Sequence, residues 1–213
     1  MQLVNEWYRF IDDDVLDKET CDKIIALGTD WTDGSVDTRS GKYSDEERVA
    51  GPIQEPGVAK KKRISDVCWI QEQWVFDLVF GYMLQANENS AWKFQIDSCE
   101  SCQLTRYGVG GFYTWHRDGR SDHLSKYDIP DSPYLHGKVR KLSMTLVLND
   151  DFEGGDFQIS KENGEDVVIS TLEEERGRGS IIVFPSFTMH RITPVTKGIR
   201  HSLVVWFLGP PFK

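Results

Sequence analysis

His116 and Asp118 put an imidazole and a carboxylate one residue apart at the end of the segment Tyr107 to Asp118. If that end is extended, both side chains share a face, because strand side chains alternate with a period of two. A nitrogen and an oxygen then converge on one point. A third ligand is offered by His190, 74 residues beyond His116 and just past the apolar run Ser180 to Met189. Two histidines and one carboxylate form a facial triad that leaves three adjacent octahedral positions open. That suits Fe(II) binding a bidentate co-substrate and then dioxygen. Zinc is the rival metal, and the residues around the triad favour iron.

Arg200 stands ten residues after His190 and opens an apolar strand. Arg200, Ser202, Val204, Trp206 and Leu208 fall on one face of that strand, with Leu203, Val205 and Phe207 on the other. A guanidinium suits a buried carboxylate because its rigid fork donates two parallel hydrogen bonds. The distal carboxylate of 2-oxoglutarate has that requirement, and the Tyr107 phenol could add a further bond. A His-x-Asp pair alone is a weak signal, as is a lone histidine. The weight lies in the combination with Arg200 and with glycines at 108, 110 and 111. His123 and His136 lie in a polar insert and should face solvent, whereas His201 should point away from the Arg200 face.

These residues need a scaffold. A helix is expected from about Asp17 to Leu27, with Cys21, Ile24, Ile25 and Leu27 as its apolar stripe and Gly28 ending it. A second should start near Ser65 as N-cap and run through Val67, Trp74, Val75, Leu78, Val79, Tyr82 and Met83 until Asn87 to Ser90 stops it. Between them, Asp30 to Arg63 reads as a long loop or flap, and Lys60 to Arg63 as a basic but solvated loop face. Short strands then follow at Trp92–Ile96, Gln103–Tyr107, Tyr113–Asp118, Leu142–Leu148, Phe157–Ile159, Val167–Ile169, Ser180–Phe184 and His201–Leu208. Strands of this number and length predict a mainly β fold with some α, a double-stranded β-helix (jelly roll) buttressed by N-terminal helices. A second polar insert, Gly119 to Gly137, is a candidate lid directly after the proposed ligands.

The 213 residues fit one domain, with 1–91 as helical support and flap and 92–213 as jelly-roll core. Hydrophobic residues make up 39% and aromatics 12%, enough to fill a core and to exclude wholesale disorder. A formal charge of −9 argues against a broad phosphate-binding surface, so no general nucleic-acid binding is expected. Met1 to Phe10 lacks the apolar run of a signal peptide and no stretch reaches membrane-spanning length, so a cytoplasmic protein without membrane contact is expected. Cys99 and Cys102 form a CxxC spacing, but Cys21 and Cys68 stand alone; the four should remain thiols.

The sequence resembles the 2-oxoglutarate and Fe(II)-dependent oxygenases of the prolyl 4-hydroxylase type, closest to bacterial and phage members that use Arg as the basic residue. The resemblance begins at Ile11 to Cys21 and Arg63 to Trp69, and it becomes specific at Tyr107-x-x-Gly110-x-x-Tyr113-x-x-His116-x-Asp118. Arg140 to Asn149, Phe152 to Phe157 and His190 to Arg200 follow in family order. It implies that Tyr107 and Arg200 bind 2-oxoglutarate, and that Tyr113, Arg140 and Trp206 line a peptide groove. It further implies O2 as oxidant, ascorbate as reductant, and hydroxylation of a prolyl residue in a protein or peptide, with release of succinate and carbon dioxide. Related halogenases replace the carboxylate at the 118 position with a small residue, so Asp118 disfavours halogenation. Two other readings remain: hydroxylation of a free amino acid or other small molecule in a closed pocket, and a catalytically idle jelly roll that binds metal or peptide.

Overall fold

The structure, a computed structural model, describes residues 7–10, 15–34, 62–119, 126–163, 166–172 and 177–212. Its first half holds β1 (Tyr8–Phe10), α1 (Lys18–Ala26), β2 (Thr32–Asp33), β3 (Arg63–Ile64), β4 (Asp66–Ile70) and α2 (Gln73–Asn89). Then come β5 (Ser98–Cys99), β6 (Cys102–Tyr107), β7 (Phe112–His116), β8 (Val139–Val147), β9 (Glu153–Gly154) and β10 (Phe157–Asn163). The chain finishes with β11 (Asp166–Thr171), β12 (Ile181–Pro185), β13 (Met189–Ile192), β14 (Val195–Lys197) and β15 (Arg200–Gly209).

A large antiparallel sheet runs β1-β12-β8-β15-β6-β4-β2, with β5 attached to β15; a smaller one runs β11-β10-β13-β7-β3. From β6 onward the chain passes repeatedly between the two: β6 and β8 lie in the large sheet, β7 and β10 in the small, β12 in the large, β13 in the small and β15 in the large. This is the expected jelly roll. Leu142, Met144, Leu146, Leu203, Val205 and Phe207 turn to the helix side of the large sheet. They pack there with Val75, Val79, Met83 and Ala86, a stripe spaced to fall along one face of α2. The opposite face looks into the space between the sheets, where Tyr107, Phe157, Ile159, Ile182, Phe184 and Ile192 form a second, smaller cluster.

α1 matches its expected span: the Asp17 carboxylate accepts from the Thr20 N–H at 2.6 Å, and the helix gives out at Leu27. α2 starts eight residues later than Ser65, and the stretch expected as its first turns is instead β4. Val67, Cys68 and Ile70 are buried, and β4 pairs antiparallel with β6 from Asp66↔Arg106 to Ile70↔Cys102. Sheet pairing overrides the helical spacing there, while Asn87, Glu88 and Asn89, expected to stop the helix, complete it. Trp92–Ile96 is not a strand. Ala91 (φ 55°) and Lys93 (φ 51°) reverse the chain after α2, and the Asn87 side chain clasps both the N–H and the carbonyl of Phe94.

The expected flap falls mostly on 35–61, outside the described residues; its ends form β2 and β3. Among the described residues no helix is long and apolar enough to cross a membrane.

The four cysteines are free thiols. Burial pushes Cys21 up to about 11; burial, with Glu100 beside Cys99 and Cys99 beside Cys102, pushes those two up to about 12. In mildly alkaline buffer the native chain should therefore react slowly with iodoacetamide at Cys21 and Cys102, and rapidly at all four after denaturation, by intact-mass spectrometry. Fast native labelling of Cys102, or zinc retained through gel filtration, would contradict this.

Candidate functional site

β7 and β13 are neighbours, and their register sets His116 directly opposite His190. The two rings lie 4.1 Å apart between centroids. Each Nδ1 is 2.8 Å from a backbone carbonyl two residues earlier, Thr114 for His116 and Thr188 for His190. A carbonyl only accepts, so each Nδ1 carries the hydrogen and each Nε2 presents its lone pair. Asp118 lies just past the end of β7, its N–H bonded to the Ser186 carbonyl at 2.9 Å. That bond turns its carboxylate toward both rings: Oδ1 is 3.5 Å from Nε2 of His116, and Oδ2 is 3.6 Å from Nε2 of His190.

The three ligand atoms lie within 4.8 Å of one another. Two adjacent ligands about 2.1 Å from a common ion would stand roughly 3 Å apart, close to these separations. Asp118 Oδ2 is buried without a hydrogen-bond partner among the described residues, an orphaned charge that a cation would satisfy. Burial alone would raise the Asp118 carboxyl; the His190 and His116 rings and Arg140 outweigh it and hold it well below the usual carboxylate range. Burial, with the neighbouring His116, lowers His190 to about 4. An ionised carboxylate and a neutral imidazole are the forms a metal takes.

Two bulges aim the side chains around this point. Opposite β13, Ile192 pairs with Tyr113 and His190 with His116, so two steps on one strand meet three on the other. The extra residue brings Tyr113 to the same side as His116, and their rings stack at 3.5 Å. On β8, Leu142 lies opposite Phe207 but Arg140 opposite Leu208, which makes Lys141 the extra residue. Regular alternation would send Arg140 into the apolar core beside Leu142. The bulge instead places it 4.0 Å over the Trp206 ring. Its Nε and Nη2 grip Glu100 at 2.6 and 2.7 Å, and its Nη1 donates to the Asp118 carbonyl at 2.8 Å.

Arg200 pairs with Tyr107 across β15 and β6, is 2% exposed, and donates from Nη1 to Ser202 Oγ at 2.9 Å. Burial pulls this guanidinium below its ordinary value, opposed by Tyr107 and Asp156. No carboxylate among the described residues forms an ion pair with it, so a bidentate acid would satisfy its remaining donors. Gly155 (φ +65°) allows this placement, since a Cβ there would stand 2.9 Å from the Arg200 Cδ.

The site therefore gathers His116, Asp118 and His190 at one point, Tyr113 against them, and Arg200 with Tyr107 on the facing sheet. Arg140 and Trp206 form a wall. His201 packs toward Trp31, away from Arg200, and His136 is exposed, as expected; His123 lies outside the described residues. Arg63 is a correction. Its Nε donates to Ser65 and its Nη2 to Gln103 and Thr105, with its guanidinium 4.9 Å over the Tyr113 ring, so it faces the site instead of a solvated loop. Glu100 was missed as a neighbour of the site, and Ser202, which the period-two spacing puts on the Arg200 face, was given no role.

Comparison with known proteins gives a consistent picture. Residues 102–208 match the family model of the 2OG-Fe(II) oxygenase superfamily. A PKHD-type hydroxylase of Idiomarina loihiensis is 33% identical over 105 residues, 48% of this chain and 39% of the relative. The match thus spans about two fifths of that relative's length. A PKHD-type hydroxylase of a Synechococcus strain is 27% identical over 90% of this chain and 74% of its own. Among solved structures, the viral collagen prolyl hydroxylase of Paramecium Bursaria Chlorella virus-1 superposes with a TM-score of 0.59 at 16% identity, covering 97% of both chains. A Pseudomonas putida prolyl-4-hydroxylase superposes equally well at 0.59, with 20% identity over 96% of this chain and 92% of its own.

Anaerobic calorimetry should show one Fe(II) or Mn(II) bound per chain. Replacing His116 or His190 by Ala should lower that affinity by at least about a hundredfold. Unchanged binding in either variant would remove it from the ligand set.

Proposed function

We propose, because this chain belongs to the 2OG-Fe(II) oxygenase superfamily, that it is an Fe(II)- and 2-oxoglutarate-dependent dioxygenase hydroxylating a prolyl residue in a protein or peptide. The observation that carries this reading is the pairing of two incomplete features. A buried carboxylate between two imidazole lone pairs keeps one oxygen without a hydrogen-bond partner among the described residues, and a buried guanidinium donates to a neutral hydroxyl, that of Ser202. Stacked groups connect them: His116 on Tyr113, Arg63 over Tyr113 and within 6.0 Å of the Tyr107 ring, and Arg200 5.8 Å from the same Tyr107 ring. A metal without the anion clamp would suit a plain hydrolytic or structural site. An idle binding module has no use for the clamp.

His116, Asp118 and His190 would hold the iron, and Arg200, Ser202 and Tyr107 the far carboxylate of 2-oxoglutarate. With both bound, the site supplies oxidation of an unactivated C–H bond: one oxygen atom of O2 enters the substrate and the other enters succinate as carbon dioxide leaves. Phe157 and Phe184, with ring centroids 5.5 and 4.7 Å from His190, keep water from that side. Asp118 would offset part of that ion's charge.

A peptide substrate is supported by an aromatic path that runs from the site to the surface. Trp206 lies 6.3 Å from Trp69, which is 52% exposed, so the wall of Arg140 and Trp206 continues as an aromatic shelf to the surface. Tyr113 faces the same space, and Trp206 Nε1 is a buried donor with no partner among the described residues that a substrate carbonyl would satisfy. Arg140 serves the groove as a flat stacked face, because three of its five donors are committed to Glu100 and Asp118. The prolyl hydroxylases that share the fold support the choice of proline.

Incubation with Fe(II), 2-oxoglutarate, O2 and proline-containing peptides should give succinate together with peptide heavier by one oxygen atom, by mass spectrometry. His116→Ala should abolish both products. Arg200→Lys should raise the 2-oxoglutarate concentration needed by roughly ten- to hundredfold, the worth of one hydrogen bond to a charged group. Succinate formation driven by free amino acids and not by peptides would overturn the peptide assignment.

A further inference from the structure

Nine residues after Asp118 the chain reaches Tyr127. Tyr127 is 9% exposed, and its hydroxyl donates to Glu100 Oε1 at 2.7 Å. The same oxygen accepts from Arg140 Nε at 2.6 Å, while Glu100 Oε2 accepts from Arg140 Nη2 at 2.7 Å. Arg140 Nη1 then donates to the main-chain carbonyl of Asp118 at 2.8 Å. Three links thus connect a tyrosine of the polar insert to the backbone of the carboxylate ligand.

The insert is fastened where this chain of bonds begins. The Tyr127 N–H donates to the Lys138 carbonyl and the Gly137 N–H to the Tyr127 carbonyl, both at 2.9 Å, which closes residues 127–138 into a loop at its base. Lys138 Nζ reaches Asp97 at 2.9 Å and Ser98 Oγ at 3.0 Å, tying that base to the segment that carries Glu100. The Tyr127 ring is 6.0 Å from the Arg140 guanidinium, whose other neighbour is Trp206. Burial pushes the Tyr127 phenol well above its ordinary value, so it remains a donor.

We propose that Tyr127 is a positioning residue for the metal centre: through Glu100 it fixes the tilt of Arg140, and through Arg140 it fixes Asp118. The proposal rests on the assignment of Asp118 as an iron ligand. It gives the insert after the ligand a role in setting the site. A hydrogen bond to a carboxylate that already grips Arg140 removes the freedom of that carboxylate to rotate, and a planar guanidinium transmits the constraint because its donors move together. Second-layer groups of this kind orient ligands and alter metal affinity.

The test is Mn(II) affinity of the full chain by calorimetry, with Tyr127→Phe made in the natural background and in Arg140→Met. Tyr127→Phe keeps the ring and removes the hydroxyl. It should weaken Mn(II) binding by about three- to tenfold in the natural background and cause no further loss in Arg140→Met. A metal-free melting temperature for Tyr127→Phe that stays well above the assay temperature separates positioning from a folding defect. Glu100→Gln, which preserves shape, provides the second variant and should weaken binding at least as much. If the natural chain binds no Mn(II), the iron-site assignment fails, and this proposal with it. If the natural chain binds and Tyr127→Phe binds equally well, or loses as much in Arg140→Met as without it, the iron site stands and the role of Tyr127 is overturned.

Discussion

An ionised carboxylate held between two imidazole rings, away from water, is costly unless positive charge meets it. Asp118 is in that position at 7% exposure, with one oxygen lacking any hydrogen-bond partner among the described residues. The surrounding structure serves this arrangement. The pairing of β7 with β13 sets the rings opposite each other, and two backbone carbonyls fix their tautomers. The Ser186 carbonyl and the Arg140 guanidinium hold the backbone of Asp118 from two sides. Arg200 poses the complementary demand, a buried guanidinium that donates to the neutral hydroxyl of Ser202. A protein of net charge −9 thus keeps three guanidinium groups, Arg63, Arg140 and Arg200, around one interior space.

The scaffold meets these demands by departing from regularity at two places. A strand without a bulge would turn Tyr113 away from His116, and another would bury Arg140 among leucines. The extra residue in β7 and Lys141 in β8 correct both, and the ladder around them remains antiparallel. Lys141 is itself held, with its Nζ 3.4 Å from the Phe212 ring, so packing outside the barrel supports the irregular turn of β8. The price of local irregularity is a few ladder bonds, and the gain is a site built on strands, where side chains are held more firmly than on loops.

Much of this was legible in the residues. The single-residue spacing of His116 and Asp118, the apolar run before His190 and the alternation after Arg200 each follow from the period-two geometry of strands. The long apolar strands β6, β8, β12 and β15 carry the same signal. The failures have physical causes. Val67 to Met83 reads as a continuous helical stripe because no Gly or Pro marks the break between β4 and α2. Ala91 and Lys93 turn the chain with left-handed backbones that neither residue type advertises. The bulges are unmarked as well, so the company kept by Arg140 could not be read. Arg63 was hidden at the end of a lysine run, and Glu100 inside a CxxC spacing that drew attention to its neighbours.

X-ray absorption at the iron edge of Fe(II)-loaded protein reads the ligand set directly. Two imidazole signatures with the remaining first-neighbour atoms all oxygen or nitrogen, and a changed shell when 2-oxoglutarate is added, are the outcome this ligand set predicts. A sulfur neighbour, a single imidazole, or a shell indifferent to 2-oxoglutarate would contradict them.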